Sequence, residues 1–310
     1  MRVIYKKILS KRINCVATIG VFDGVHLGHK FILEKLRKKS RQLNVPSLVV
    51  TFDVPPQILL QKKNRRVKEF PGFLADIEDK AVFLKEEGID YAWFLKTNAP
   101  LLRLSGRKFL DYLFKHFIIK HFIIGEDFRF GHNGKANIRY LEKISKCYGF
   151  KVTVLTKIAK AKHTISSSLL RRLIKKSRFE KVENFLGRKF YIKGKVIKGK
   201  GYGRKLGFPT ANIDYDGYVI PRDGVYAAYV EVDKKQYLSA ANIGISPTIF
   251  ESQEKILEAH ILNLRKNILG KKIKIRFIKR LRNEKKFFSE NELKQAIAKD
   301  INYIKKHYKT

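Results

Sequence analysis

Hydrophobic positions along the first half of the chain alternate between two rhythms. Val16–Phe22 is a short apolar run of the kind that forms a buried strand. A Gly- and His-rich turn follows, then Lys30–Leu43, where Phe31, Ile32, Leu36 and Leu43 recur among lysines as in an amphipathic helix. Ser47–Phe52 predicts a second buried strand. Leu74–Glu87 predicts a helix with Leu74, Ile77, Ala81 and Leu84 on one face and Gly88 as its stop signal. Tyr91–Leu95, His121–Ile124 and Lys151–Leu155 read as strands, and Arg107–Phe117 and Ile138–Tyr148 as helices. Repeated strand–helix alternation predicts a parallel sheet covered on both faces. Ligands of such sheets sit at the carboxyl ends of the strands.

From Phe190 the rhythm changes. Phe190–Ile197, Val225–Val232, Tyr237–Ile243, Leu257–Leu264 and Lys272–Phe277 are short β-rich runs separated by Gly-rich or polar turns, which predicts an antiparallel barrel. A terminal helix, Glu290–Lys306, carries Leu293, Ile297, Ile301 and Ile304 on one face. The helical stretch Phe179–Leu186 ends at Gly187, and the domain boundary is placed there: 1–186 and 187–310.

The 310 residues suffice for two such domains, and an apolar share of 44% excludes disordered and low-complexity classes. Cys15 and Cys147 cannot build a disulfide framework, which points to a reducing compartment. No apolar run reaches the roughly 18 residues of a membrane span, and the N-terminus lacks a signal-peptide pattern. The expected location is the cytoplasm. Lys and Arg number 67 against 28 acids, a net charge of +39. A field of that size attracts polyanions. The basic stretches Lys35–Arg41, Lys62–Arg66, Arg171–Lys176 and Lys271–Arg282 are dispersed, however, and none forms a nucleic-acid-binding motif. A solvated lysine-rich surface is the preferred reading, with a basic nucleic-acid-binding protein on an old enzyme scaffold as the rival.

Chemistry concentrates in Thr18-Ile-Gly-Val-Phe-Asp-Gly-Val-His-Leu-Gly-His29. A buried strand ends, glycines let the backbone turn, and a helix begins. Helix N-termini bind phosphate through free N–H groups and the dipole. His26 and His29, three apart, could both face that point and stabilise charge on a phosphoryl oxygen. A metal site is the alternative reading of the pair, although no third ligand follows nearby.

This string resembles the His-x-Gly-His signature of nucleotidyltransferases, in the form found in the bacterial bifunctional riboflavin kinase/FMN adenylyltransferase (FAD synthetase) family. The resemblance implies a Rossmann-like first domain in which Gly20, Phe22, Asp23, Gly24, His26 and His29 handle ATP. Gly125-Glu-Asp-Phe-Arg-Phe-Gly131 resembles the family's flavin-side loop, which implies that Glu126, Asp127, Phe128 and Arg129 contact flavin. Ile165-Ser-Ser-Ser-Leu-Leu-Arg171 resembles its ATP-side motif. Ser166, Ser167 and Ser168 are good helix caps, and hydroxyls, helix N–H groups and Arg171 together suit phosphates.

In the second half, the run from Gly194 to Asn212 resembles the riboflavin kinase signature. It has neither Walker nor Rossmann spacing. Gly199, Gly201 and Gly203 would form a flap whose amides approach ATP phosphates, with Lys205 beside them. Thr210 and Asn212 offer oxygen ligands that suit Mg²⁺. Glu258, in Leu257-Glu-Ala-His-Ile-Leu262, matches the family's catalytic glutamate and is the candidate base. Asn242-Ile-Gly-Ile-Ser-Pro-Thr248 matches a further family segment. The match of Arg280-Leu-Arg-Asn-Glu-Lys-Lys-Phe287 implies flavin contacts from Arg282, Glu284 and Phe287. The departures are Pro55 in place of a usual His, Gly134, Ala136 and Asn137 after the Phe-Gly loop, Ser246 for Arg, and Asn263 for Asp. The implied activities phosphorylate riboflavin to FMN and adenylylate FMN to FAD, with ATP as co-substrate. A kinase with a weak or lost adenylyltransferase is the alternative.

Overall fold

The computed structural model describes residues 1–5, 11–63, 70–156, 159–160, 163–199, 201–215, 217–245 and 255–309. Ser246 and part of the basic stretch 62–66 lie outside them. The chain divides into two units, Met1–Leu169 and Leu170–Thr310.

In the first unit the elements run β1 (Arg2–Tyr5), β2 (Ile13–Ile19), α1 (Leu27–Gln42), β3 (Ser47–Phe52), α2 (Pro56–Lys63), α3 (Ile77–Glu86), β4 (Tyr91–Leu95), α4 (Ala99–Leu102), α5 (Gly106–Phe114) and β5 (Phe117–Gly125). Then follow β6 (Arg129–Phe130), β7 (Ala136–Asn137), α6 (Ile138–Tyr148), β8 (Lys151–Leu155), β9 (Ala159–Lys160), β10 (His163–Thr164) and the start of α7 (Ser167–Lys175). Six strands form one sheet in the order β1-β4-β3-β2-β5-β8, and every pairing in it is parallel. The expected parallel sheet is therefore present. Continuous burial of Cys15–Ile19 and Ser47–Thr51 is what a strand covered on both faces requires. The strand order reverses direction between β2 and β5, the kind of switch point at whose carboxyl ends sheets of this type bind ligands.

Some boundaries differ from the periodicity. Residue 43 lies past the end of α1, where Leu43 is exposed, and Leu33 and Leu36 fill the core instead. Helix α3 begins only at Ile77, because Asp76 caps it by accepting from the Asp79 N–H. Predicted helix Arg107–Phe117 stops at Phe114, and β5 starts at Phe117, earlier than the apolar run suggests. Strand β1 and helix α2 are additional.

The second unit contains the rest of α7, α8 (Phe179–Leu186), β11 (Ile192–Ile197), α9 (Tyr202–Lys205), β12 (Ala211–Asp214), β13 (Gly224–Val232), β14 (Lys235–Ile245), β15 (Lys255–Ile261), β16 (Lys272–Arg282) and α10 (Glu290–His307). The strands close a barrel in the order β11-β12-β15-β14-β13-β16, antiparallel throughout. Helix α10 covers one side through Ile301 and Ile304, packed with Ala227, Leu238 and Leu262. Helix α8 packs with the barrel: Phe179 stacks on Phe277 at 5.7 Å and meets Tyr226 edge-on at 6.0 Å. These contacts explain why residues 170–186 group with the second unit, whereas the sequence places the boundary after them. Strand β12 is the barrel strand that periodicity does not reveal, because at four residues it is too short to show a rhythm of its own.

One buried cation organises the ligand end of the first sheet. Lys80 on α3 is 2% exposed, and its Nζ donates to the Phe52 carbonyl at 3.0 Å. Asp23 and Asp53 lie close enough to favour its charge, but burial dominates and lowers its pKa from 10.5 to about 8. Each acid also fixes backbone. Asp53 Oδ1 accepts from Val54 N and Thr97 N, at 2.7 and 2.8 Å, and Asp23 Oδ1 from Leu74 N at 3.0 Å. The loops after β2, β3 and β4 are thereby tied together around one ammonium group.

Below pH 8 both native and unfolded chains hold the Lys80 proton, and the full cost of burying it is present. Between pH 8 and 10.5 the native state releases it while the unfolded state keeps it, so stability rises across that window. The contribution is on the order of 3 kcal/mol. Lys80→Met should flatten this rise. Urea unfolding followed by the single tryptophan, Trp93, which is buried in the first unit, measures the difference between wild type and variant at each pH. A difference that stays constant from pH 7.5 to 10.5 would show that Lys80 does not titrate in that range.

Candidate functional site

Strand β2 delivers the chain into a turn that only a special backbone can make. Phe22, Gly24 and Val25 all have positive φ, at 49°, 77° and 38°. A Cβ on Gly24 would lie 2.8 Å from the Leu74 Cβ, so close packing as well as conformation requires glycine. His26 then caps α1: its Nδ1 accepts from the His29 N–H at 3.4 Å. A neutral imidazole that accepts at Nδ1 carries its proton on Nε2 and can donate there. The two imidazoles stack at 3.7 Å with an interplanar angle of 17°, and Phe22 packs against His29 at 4.9 Å. Gly28 leaves room for this stack, since a Cβ there would lie 3.1 Å from His26 Cε1 and Nδ1. His26 is 4% exposed, so the imidazole is part of the packing that fixes the start of α1.

The serine turn docks on the same loop. Ser167 Oγ donates to the Asp23 carbonyl at 3.1 Å, and Ser166 Oγ caps α7 by accepting from Leu169 N at 3.2 Å. Ser168 follows on the first turn of α7. Arg171 belongs to α7 beyond the unit boundary and is buried. Gly125–Arg129 leaves the carboxyl end of β5, next to β2 in the sheet. Glu126, Asp127 and Arg129 are exposed there, while Phe128 is half-buried and stacks on Phe130 at 5.2 Å. Arg129 donates to the Gly134 carbonyl at 3.3 Å, bracing the loop. Two of the departures have structural roles: Asn137 caps α6, accepting from Tyr140 N at 3.1 Å, and the Ala136 methyl fills the space beside Gly106.

In the second unit, strand register assembles the candidate residues. Asn212 on β12 lies opposite Glu258 on β15, which lies opposite Asn242 on β14. Cross-strand partners share a face. This row faces outward, because Leu257 and Ala259 on either side of Glu258 are buried in the barrel. Glu258 has its pKa raised, first by burial and second by the nearby Glu284 carboxylate. Glu284 accepts from Asn242 Nδ2 at 3.4 Å. A Cβ on Gly244 would overlap the Glu284 carboxylate, so that glycine admits the second acid.

The glycine flap lies directly over β12. A Cβ on Gly199 would fall 1.9 Å from Asn212 Nδ2, and one on Gly203 2.5 Å from the Phe208 carbonyl and 3.2 Å from Thr210 Oγ1. Gly201 has open space around it but a φ of 72°, which favours glycine for conformation. Lys205 is exposed on α9. Asn242 and Gly244 belong to a segment that matches the family without an implied role; strand register places Asn242 beside Glu258, and the close approach of Glu284 accounts for Gly244.

Arg282 has a firm structural attachment. Its guanidinium binds Asp300 of α10 at 2.9–3.0 Å and lies 5.7 Å from the Phe287 ring. Glu284 is exposed near Glu258, and Phe287 is half-buried against Arg282. Among the described residues no three His, Cys, Asp or Glu side chains gather in a metal-binding cluster. Thr210 and Asn212 nevertheless present neutral, hard oxygen donors. Such a pair fits Mg²⁺, which keeps water and substrate phosphate as its remaining ligands.

Comparison with known proteins divides the chain at nearly the same place. Residues 9–169 match the family model of FAD synthetase, and residues 186–308 that of riboflavin kinase. The bifunctional riboflavin kinase/FMN adenylyltransferase of Buchnera aphidicola (Schizaphis graminum) is 38% identical over 299 residues, 95% of this chain and 94% of the relative. That of Escherichia coli K12 is 35% identical, covering 93% and 90%. A crystal structure described as a macrolide-efflux protein from Streptococcus pneumoniae superposes with a TM-score of 0.81 at 26% identity, over 98% of this chain and 97% of that one. Both halves being matched in tandem, and the relatives nearly end to end, the chain belongs to the bifunctional riboflavin kinase/FMN adenylyltransferase family.

Proposed function

We propose that each unit performs one of the two reactions of this family, using its own phosphate-binding device. The observation that carries the proposal is that each device is built within its own unit: the capped His26–His29 stack in one, the flap over the Asn212–Glu258–Asn242 row in the other.

In the second unit, riboflavin and ATP give FMN and ADP. Glu258 accepts the proton of the terminal ribityl hydroxyl as that oxygen attacks the γ-phosphorus. Its raised pKa strengthens it as a base. The flap amides of Gly199, Gly201 and Gly203 face the ATP phosphates, with Lys205 adding charge. Thr210 and Asn212 would hold Mg²⁺, which when bound neutralises phosphate charge. Glu284 and Phe287 line the flavin side, and Arg282 keeps their segment on α10.

In the first unit, a phosphate oxygen of FMN attacks the α-phosphorus of a second ATP, giving FAD and pyrophosphate. The imidazole N–H donors of His26 and His29 stabilise the charge that builds on the phosphoryl oxygens. Gly20, Phe22, Asp23 and Gly24 shape the turn beneath the nucleotide, and Ser166–Ser168 at the start of α7 bind its phosphates. Glu126, Asp127, Phe128 and Arg129 meet the flavin. Among the described residues no helix is long and apolar enough to cross a membrane. Cytoplasmic work on ATP and flavins, without a nucleic-acid partner, fits this reading.

Glu258→Gln should lower FMN formation by about two to four orders of magnitude, the usual range for a lost general base, while supplied FMN is still converted to FAD. Chromatographic separation of riboflavin, FMN and FAD reads both steps at once. Loss of both steps in a folded protein would refute independent sites.

For the first unit, His26→Ala would remove a helix cap worth about 1 kcal/mol along with the imidazole. His26→Asn keeps a capping acceptor and is the cleaner change. Combined with His29→Ala, it should reduce FAD formation by about 10²-fold or more, the scale of one lost oxyanion donor, and leave FMN formation unchanged. Unaltered FAD yield would remove the histidines from the reaction.

Gly199→Ala places a methyl group where the Asn212 amide now sits. It should raise the KM for ATP in FMN formation without altering the FAD step. An unchanged KM would mean the flap does not close on β12 during turnover.

A further inference from the structure

We propose that His260 is a positioning residue of the kinase reaction: its imidazole holds the Phe208–Pro209 backbone, and through it Thr210, in register with the glycine flap. The inference rests on the kinase reading of Thr210 and Asn212 given above.

His260 stands two residues beyond Glu258 on β15, on the same outward face. Its Nδ1 lies 2.8 Å from the Pro209 carbonyl oxygen. A carbonyl only accepts, so Nδ1 carries the hydrogen and donates. Phe208 meets the same imidazole edge-on, at 5.7 Å and 89°. The strand beneath is fixed independently: fully buried Ser239 donates its hydroxyl to the His260 carbonyl at 2.9 Å.

The flap grips the other side of this dipeptide. Phe208 N donates to the Gly203 carbonyl at 2.8 Å, and Gly203 approaches the Phe208 carbonyl so closely that no Cβ would fit. Phe208–Pro209 is therefore clamped between the flap and the imidazole. The clamp matters because Thr210 lies outside the ladder. Strand β12 begins at Ala211, whose partner is Ala259, so sheet hydrogen bonds fix Asn212 but not Thr210. Proline has no N–H, leaving the Pro209 carbonyl as that residue's one backbone hydrogen-bonding group. His260 is what holds it.

Two isosteric changes separate positioning from bulk stability. In His260→Asn the side-chain amide nitrogen occupies the place of Nδ1 and can still donate to Pro209. In His260→Gln the amide lies at the place of Nε2 and cannot. In the full-length chain, with ATP titrated at saturating riboflavin, His260→Gln should lower kcat/KM for FMN formation by about 10- to 100-fold, the scale of a small misplacement of reacting groups, mainly through the KM for ATP. His260→Asn should stay within about threefold of wild type, as expected when one neutral hydrogen bond is kept. Conversion of FMN to FAD should be the same in all three proteins, and thermal melts should confirm folding. In parallel, ¹⁵N NMR of the wild-type imidazole should show Nδ1 protonated in the free protein, a readout independent of activity. Equal behaviour of the Asn and Gln variants, whether both active or both impaired, would overturn the proposal, as would an unprotonated Nδ1. Wild-type protein that formed no FMN would instead overturn the kinase reading itself.

Discussion

Close approach of bare backbone to a functional side chain governs both halves of this protein. At Gly28 the missing Cβ lets the His26 ring lie flat against the first turn of α1, and at Gly199 it lets the flap reach the Asn212 amide. Phosphate recognition by backbone N–H groups needs this bareness, because a side chain on the loop would stand where the phosphate oxygens go. The consequences spread outward. Once the loop after β2 is fixed, Asp23 must be held by Leu74 N, Ser167 must reach the Asp23 carbonyl, and the loops around Lys80 must close on one another. In the barrel, the flap fixes Phe208, and the row from Asn212 to Asn242 is fixed by strand register.

Charge is handled unusually, because acids are scarce. On the outer face of the barrel Lys193 lies opposite Lys274 and Lys195 opposite Lys272, pairings that repel. Aromatic rings take part of the load. Lys274 lies 5.3 Å from the Tyr191 ring and 3.0 Å from Glu231, and Arg276 lies 4.8 Å from the Tyr229 ring. Asp233 serves two lysines at once, Lys266 and Lys271, whose hydrogen bonds pull its carboxyl pKa down to about 2. A surface of this kind stays soluble through self-repulsion, and it attracts the anionic substrates of both reactions.

What the sequence made legible follows from what a local string encodes. Alternating apolar runs disclosed the parallel sheet, since burial on both faces leaves a continuous signature in the chain itself. The His-x-Gly-His string and the run from Gly194 to Asn212 disclosed the two candidate phosphate loops, because turn, cap and candidate ligands lie close together in the chain. Properties that depend on distant partners stayed hidden. The ion pair of Arg282 with Asp300, formed between a strand and the terminal helix, leaves no trace in the local string. Asn242 gains meaning only from its register with Glu258, and Lys80 looks like any lysine on a helix until its burial is known. Strand β12 escaped because Ala211–Asp214, although it alternates apolar and polar, is too short for the alternation to stand out beside the glycine-rich run before it.

The double duty of His26 has an evolutionary consequence. An imidazole that caps a helix, and by the proposal above also faces the reacting phosphate, cannot be discarded neutrally when selection on the reaction is relaxed, since most of its replacements also loosen α1. Selection for folding alone would favour retaining His26 or replacing it with another capping residue such as Asn, Asp, Ser or Thr. In a lineage that no longer needed the second step, decay would therefore show first at His29 and in the exposed flavin loop, where stability is least at stake.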